Sequence, residues 1–194
     1  MPNLRRKGDK TTNPEVMDTY ELIHAVPVEP GKPAPDVMID LGKAAKACGI
    51  GATGLSGHII APKFGPFMRW AFVITDAPLE TDAPFGTLCD GCGLCAEACP
   101  GHAIDGDGLD TWQCSVYYKG AHRSNPFMTE NFLAGHPERE AILNGEKHFD
   151  AVSARALYPK LNFLPNTQSG YSPCLCGKRC DIACYRHLKE EGKL

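Results

Sequence analysis

Apolar residues recur at helical spacing between Asp36 and Gly49, where Val37, Met38, Leu41, Ala44, Ala45 and Cys48 fall on one face. Asp36 suits the N-cap and Gly49 the C-terminal turn, so the pattern predicts a short amphipathic helix with small residues inward. It also makes Cys48 a packed core thiol. Phe67 to Thr75 is rich in aromatic and β-branched residues between Gly65-Pro66 and Asp76-Ala77-Pro78, and reads as the main strand. Asp105-Gly106-Asp107-Gly108 is a turn signal. Beyond Cys114 the pattern becomes helical, with helices predicted near 127–134, 137–145, 149–157 and 177–190. Residues 1–35 are polar and then proline-rich, with Pro27, Pro30, Pro33 and Pro35 favouring an extended arm. Mixed helices with a little sheet place the chain in the α+β class.

The charge balance narrows the function classes. Twenty Lys+Arg against 23 Asp+Glu give a net charge of -3, without the broad positive field that holds nucleic acid. No apolar run approaches the roughly 20 residues that cross a bilayer, and the first thirty residues lack an export-signal core, so a cytoplasmic location is expected. Gly49, Gly51, Gly54 and Gly57 make a glycine-rich loop, but it lacks the Gly-Lys-Ser/Thr ending of a phosphate cradle and the dinucleotide spacing. Ten cysteines in a chain of 194 residues are the anomaly. In a reducing compartment clustered thiols point to metal or redox chemistry rather than to disulfides.

Their spacing is specific. Cys89, Cys92, Cys95 and Cys99 follow C-x2-C-x2-C-x3-C and precede Pro100, the run that holds cubane iron–sulfur clusters. Three thiolates at successive x2 intervals can wrap one cluster, while the fourth cysteine serves a second one. Asp90, Gly91, Gly93 and Leu94 fill the intervals. A second cluster needs further cysteines, and the chain supplies Cys114 alone and then Cys174, Cys176, Cys180 and Cys184 in a C-x-C-x3-C-x3-C run. The crossed pattern assigns Cys89, Cys92, Cys95 and Cys184 to one [4Fe-4S] cluster and Cys99, Cys114, Cys176 and Cys180 to the other. Cys174 and Cys176 can exchange roles in this scheme. Structural zinc is the competing reading, but zinc ribbons present two separated Cys-x2-Cys knuckles rather than three cysteines at x2 before a Cys-Pro.

The residues around the cysteines carry a resemblance. The stretch from Lys46 through the glycine-rich loop to Pro66, then Arg69-Trp-Ala-Phe-Val-Ile-Thr-Asp-Ala-Pro-Leu79, resembles reductive dehalogenases and is similar to epoxyqueuosine reductases. The likeness runs over residues 40–123, includes the isolated cysteine in Trp112-Gln-Cys114, and resumes at the last cysteines. It implies a ferredoxin-like two-cluster lobe attached to a truncated nitroreductase-like α+β flank. The corresponding division is an arm at 1–35, the flank at 36–82, and a cluster domain at 83–194 with a helical insertion at 125–170. In such proteins the clusters deliver electrons to a corrinoid, so cobalamin is an implied cofactor. Tyr185 stands where the family has proline after the last cysteine, and only about forty residues precede the glycine-rich segment.

Three functions follow. The chain is an electron-transfer module serving a redox partner protein; or a shortened cobalamin-dependent reductase completed in a homodimer or larger complex; or a structural metal-binding module. Leu94, Ile104, Trp112 and Ile182 are expected to bury the clusters. His58 and Lys63 lie in the segment that resembles the corrinoid side. Tyr117, Tyr118, His122 and Arg123 follow a presumed ligand, and they read as packing or solvent-facing groups before catalytic ones. His102 reads as an exposed turn residue. Lys178, Arg179, Arg186, His187 and Lys189 form a basic helix face, which reads first as solvated and second as a docking face for an acidic donor.

Overall fold

The computed structural model describes residues 41–69, 77–80, 82–164 and 173–194. Helix α1 (Leu41–Ala47) ends at Gly49, whose φ of 69° lets Ile50 N–H reach Ala45 O (3.0 Å) and Gly49 N–H reach Lys46 O (3.2 Å). This closure occupies the last helical carbonyls. The predicted cap Asp36 lies outside the described residues. Ala45 is buried as expected, but Cys48 is exposed. Cys48 sits where the chain leaves the helix, past the last residue whose direction the helical period controls, so it is not a core thiol.

The glycine-rich segment folds back on itself as an antiparallel hairpin, β1 (Ala52–Thr53) with β2 (Ile59–Ile60), in register Ala52↔Ile60 and Thr53↔Ile59. Of the strand predicted over Phe67–Thr75, residues 70–76 lie outside the described residues and Phe67 to Arg69 have no regular structure. The chain reaches the cysteine run without regular structure, forms α2 (Leu94–Glu97), and then a second hairpin, β3 (Ile104–Asp105) with β4 (Gly108–Leu109). The predicted Asp-Gly turn joins β3 to β4, and Asp105 Oδ1 accepts from Asp107 N–H at 2.9 Å.

Helix α3 (Thr111–Tyr118) starts at Asp110, whose carboxylate accepts from the N–H groups of Trp112 (2.9 Å) and Gln113 (3.0 Å). Helices α4 (Arg139–Asn144) and α5 (Ala151–Leu157) follow, α5 with a capping box between Asp150 and Ser153 and a 3-10 turn at Tyr158–Lys160. The last helix is α6 (Arg179–Glu190). The helix predicted near 127–134 is instead a series of turns, with Phe132 N–H on Thr129 O and Ala134 N–H on Asn131 O. Leu133 stands at φ 53°, which breaks a helical run, and the buried pair Phe132 and Leu133 is adjacent rather than spaced three or four apart.

The main core gathers Val116 and Tyr117 of α3, Phe132, Ile142 of α4, Phe149 and Leu157 of α5. One polar side chain ties it to the cysteine run. Gln113, buried in α3, donates through Nε2 to Gly101 O (2.7 Å) and Lys147 O (3.0 Å), and its Oε1 accepts from Phe149 N–H (2.8 Å). Its amide is thereby satisfied away from water. Gly101 packs so closely on the Tyr117 ring that a Cβ there would lie 2.0 Å from Cδ2. The segment following Cys99 is thus held by the helical core.

Candidate metal centre

The loop from Cys89 to Cys95 turns tightly because Gly91 and Gly93 adopt φ values of 75° and 79°, which side chains with a Cβ seldom take. Gly93 starts α2, and α2 packs along α6, bringing the first cysteine run against the last. Cys89, Cys92, Cys95 and Cys184 line one pocket, with about 340 Å3 of non-atom space that includes open solvent. Cys99, Cys114, Cys176 and Cys180 line a second of about 380 Å3 on the same measure, together with His58 and Arg179. Buried Ser56, in the β1–β2 turn, lines both. Cys174 lies outside the lining of either, with its Sγ 3.4 Å from Cys176 Sγ.

Several of these thiols resist ionisation. Burial pushes Cys114 up to about 11 and Cys180 and Cys184 up to about 12, and neighbouring cysteines add to the rise in all three. Cys95 is also raised, first by burial and then by Cys89 and Cys92. Cys174 and Cys176 share a hydrogen bond that lowers Cys174 and raises Cys176. Four thiols gathered in a half-buried pocket, each raising the cost of ionising its neighbours, suit a group that brings positive iron to them, and both pockets fit a thiolate-bound cluster on that chemistry. Ala103 N–H donates to Cys99 Sγ at 3.4 Å, the kind of sulfur contact that tunes such groups.

The glycine-rich loop does not fit a macrocycle cradle. A Cβ on Gly51 would meet Ile60 O at 2.4 Å and one on Gly54 would meet Ile60 Cδ1 at 2.5 Å. The space that these glycines open is filled by β2 of the same hairpin.

Charged side chains fasten the pockets. Asp90 accepts from Lys193 Nζ (2.6 Å), His187 Nε2 (2.8 Å) and Cys92 N–H (3.2 Å), and Lys193 and His187 hold its carboxyl well below the usual range. Asp181, 0% exposed, accepts from His58 Nδ1 (2.5 Å) and Lys178 Nζ (3.1 Å). Burial opposes its ionisation, but His58 and then Lys178 outweigh that and lower it. Two of the five residues on the predicted basic face are therefore engaged with carboxylates, while Arg186 and Lys189 are exposed. Asp181 and Ser56 carried no sequence signal; only the folded chain brings them to the pockets.

Of the remaining candidates, Tyr117 and Tyr118 also line the second pocket. Tyr117 is buried and donates to Ile142 O (2.8 Å), Tyr118 is partly buried, and Arg123 is exposed beside Asn144 and Glu140. His102 is exposed and Lys63 lies over the Phe64 ring. Ile104 is buried and lines the second pocket, and Trp112 is partly buried. Leu94 and Ile182, expected to bury the clusters, are 37% and 36% exposed, because α2 and α6 turn their cysteines inward and these residues outward.

His122 is buried, with Nδ1 3.0 Å from Ser124 Oγ. Its Nε2 makes no well-formed hydrogen bond, although the nearby Leu175 backbone slightly favours the charged ring. Burial, and then the Arg179 charge, lower its pKa below the ordinary value. The unfolded chain then takes up a proton that the folded chain refuses, so stability falls as pH drops below about 6.5, by up to about 1.4 kcal/mol per pH unit, and levels off below the folded value. Urea midpoints at pH 7.5 and 5.5 should differ more in the wild type than in His122→Gln; equal differences would remove His122 from the acid response.

Comparison with known proteins bears on these pockets directly. The family described as "4Fe-4S binding domain" matches residues 87–105. The epoxyqueuosine reductase of Bacillus cereus is 33% identical over 129 residues, covering 63% of this chain and 31% of that protein. Those of Listeria monocytogenes (35% over 83 residues, 38% and 22%) and Synechococcus sp. strain RCC307 (26% over 152 residues, 75% and 48%) are also similar. The chain is similar to epoxyqueuosine reductases and carries a 4Fe-4S binding segment. It spans less than half the length of these relatives. No solved structure matches it significantly. Among the described residues of this iron–sulfur protein, no helix is long and apolar enough to cross a membrane.

Proposed function

We propose that this chain holds two [4Fe-4S] clusters and exchanges electrons with a redox partner protein. Cys89, Cys92, Cys95 and Cys184 hold one cluster, and Cys99, Cys114, Cys176 and Cys180 hold the other. The observation that carries this reading is the sorting of eight cysteines, four and four, into two pockets that share Ser56. When bound, such clusters take up and release single electrons at potentials set by burial, charge and hydrogen bonds to sulfur. The chain's own part is to give up thiol protons as the clusters assemble, to hold the loops through Asp90 and Gln113, and to offer Ala103 N–H to Cys99. Cys176 lines the second pocket while Cys174 does not, which favours Cys176 as ligand.

Helix α1 and the β1–β2 hairpin are the described part of a flank related to the corrinoid reductases. The reductase reading rests on the similarity alone, because the glycines of that hairpin are filled by Ile60. Iron, cobalt and zinc content of protein purified without oxygen tests the choice. About eight irons per chain without cobalt is expected. Iron with stoichiometric cobalt would replace the electron carrier by a corrinoid enzyme, and zinc without iron would leave only a structural metal site.

A further inference from the structure

Asp181 does more than fasten His58 and Lys178. Its side chain is fully buried, yet it lies on α6 between Cys180, which lines one pocket, and Cys184, which lines the other. Cys180 and Cys184 are four residues apart and share a face of α6, and Asp181 is three residues before Cys184 at the edge of that face. Cys180 Sγ approaches Asp181 Oδ1 to 3.9 Å. Two partners hold it, His58 Nδ1 on Oδ1 and the Lys178 ammonium on Oδ2. A buried ion pair is often no better for stability than apolar residues of similar size. What a buried carboxylate supplies that an apolar residue cannot is a fixed negative charge, felt over longer distances in a medium of low dielectric constant.

We propose that Asp181 is a charge set between the two pockets that lowers the reduction potentials of the groups they hold, with Lys178 and His58 limiting its reach. The inference rests on the cluster reading above. Reduction adds one electron to a group already surrounded by thiolates, and a neighbouring carboxylate opposes that addition. Exposed acids such as Glu97 cannot do this to the same degree, since water and salt screen them. Asp181 is thus a positioning residue for charge: it need not touch the reacting atoms.

The test is a redox titration of anaerobically purified holoprotein, followed by electron paramagnetic resonance, with iron measured on every sample. Asp181→Asn keeps the shape and removes the charge, at the cost of one of the two hydrogen bonds the carboxylate accepts. With iron retained, its reduced-to-oxidised ratio at a fixed applied potential should rise at least tenfold, about 59 mV for a one-electron couple. Lys178→Met removes a cation and should move the ratio down, by less, since Lys178 is 48% exposed. Opposite signs separate a charge effect from loosened packing, which has no reason to reverse between the two. An unmoved ratio in Asp181→Asn with full iron, or a shift of both variants in one direction, overturns the inference. If Asp181→Asn fails to fold, Lys178→Met decides, and a ratio unchanged or raised there overturns it. Wild-type protein without iron would overturn the cluster reading itself and this inference with it.

Discussion

Replacing Gly101 by alanine is expected to destabilise the fold by about 3 kcal/mol or more, at the upper end of the cost of overpacking a core. The added Cβ would fall 2.0 Å from Cδ2 and 2.1 Å from Cγ of Tyr117. Neither side can yield easily. Tyr117 is 1% exposed, its hydroxyl donates to Ile142 O, and its ring meets Phe149 edge-on at 6.2 Å. Gly101 O is held by Gln113, and Gly145 is so close behind that a Cβ there would lie 2.7 Å from Pro100 O. A urea denaturation series on Gly101→Ala, Tyr117→Leu and the double variant gives the measurement. The double variant should cost less than the sum of the single ones, because the smaller side chain removes the clash. An unchanged midpoint in Gly101→Ala would show that the loop after Cys99 is free to move.

Cys114→Ala should leave about four of the eight expected irons per chain, and Cys92→Ala should leave the other four. The reason is the division of the thiols: Cys114 lines only the pocket with Cys99, Cys176 and Cys180, and Cys92 only the pocket with Cys89, Cys95 and Cys184. The two variants should also retain different paramagnetic signals. Cys48→Ala and Cys174→Ala should keep all the iron, as neither residue lines a pocket. Full iron in Cys114→Ala would sink the pairing, and half the iron in Cys174→Ala would put Cys174 in place of Cys176.

The parts of this molecule that were legible in the sequence are those whose cause is local. Fixed spacing announced the 4Fe-4S segment, and Asp-Gly pairs announced the β3–β4 turn. Apolar periodicity found α4, α5 and α6 to within a few residues. The helix near 127–134 failed because adjacent Phe132 and Leu133 mimic a periodic face while the backbone at Leu133 runs left-handed. What the glycine-rich loop does could not be read ahead, because a sequence shows the missing side chains but not what fills the gap; at Gly51 and Gly54 Ile60 does. The pairing of Asp181 with His58 joins residues 123 apart, and no period or motif links them. Leu94 and Ile182 were misplaced because a sequence shows how near they lie to cysteines along the chain but not that each falls off the helix face that carries the thiols.

Both pockets take a wall from the last segment of the chain, through Cys184 in one and Cys176 and Cys180 in the other. During synthesis five of the eight pocket cysteines, Cys89 to Cys114, therefore leave the ribosome before either site can close. On the proposed two-cluster reading, both clusters are completed only after α6 is made, and a nascent chain halted before Cys176 carries the first five thiols with no partners to complete either pocket. On the same reading a chain without α6 lacks Cys180 and Cys184, and so one ligand of each cluster.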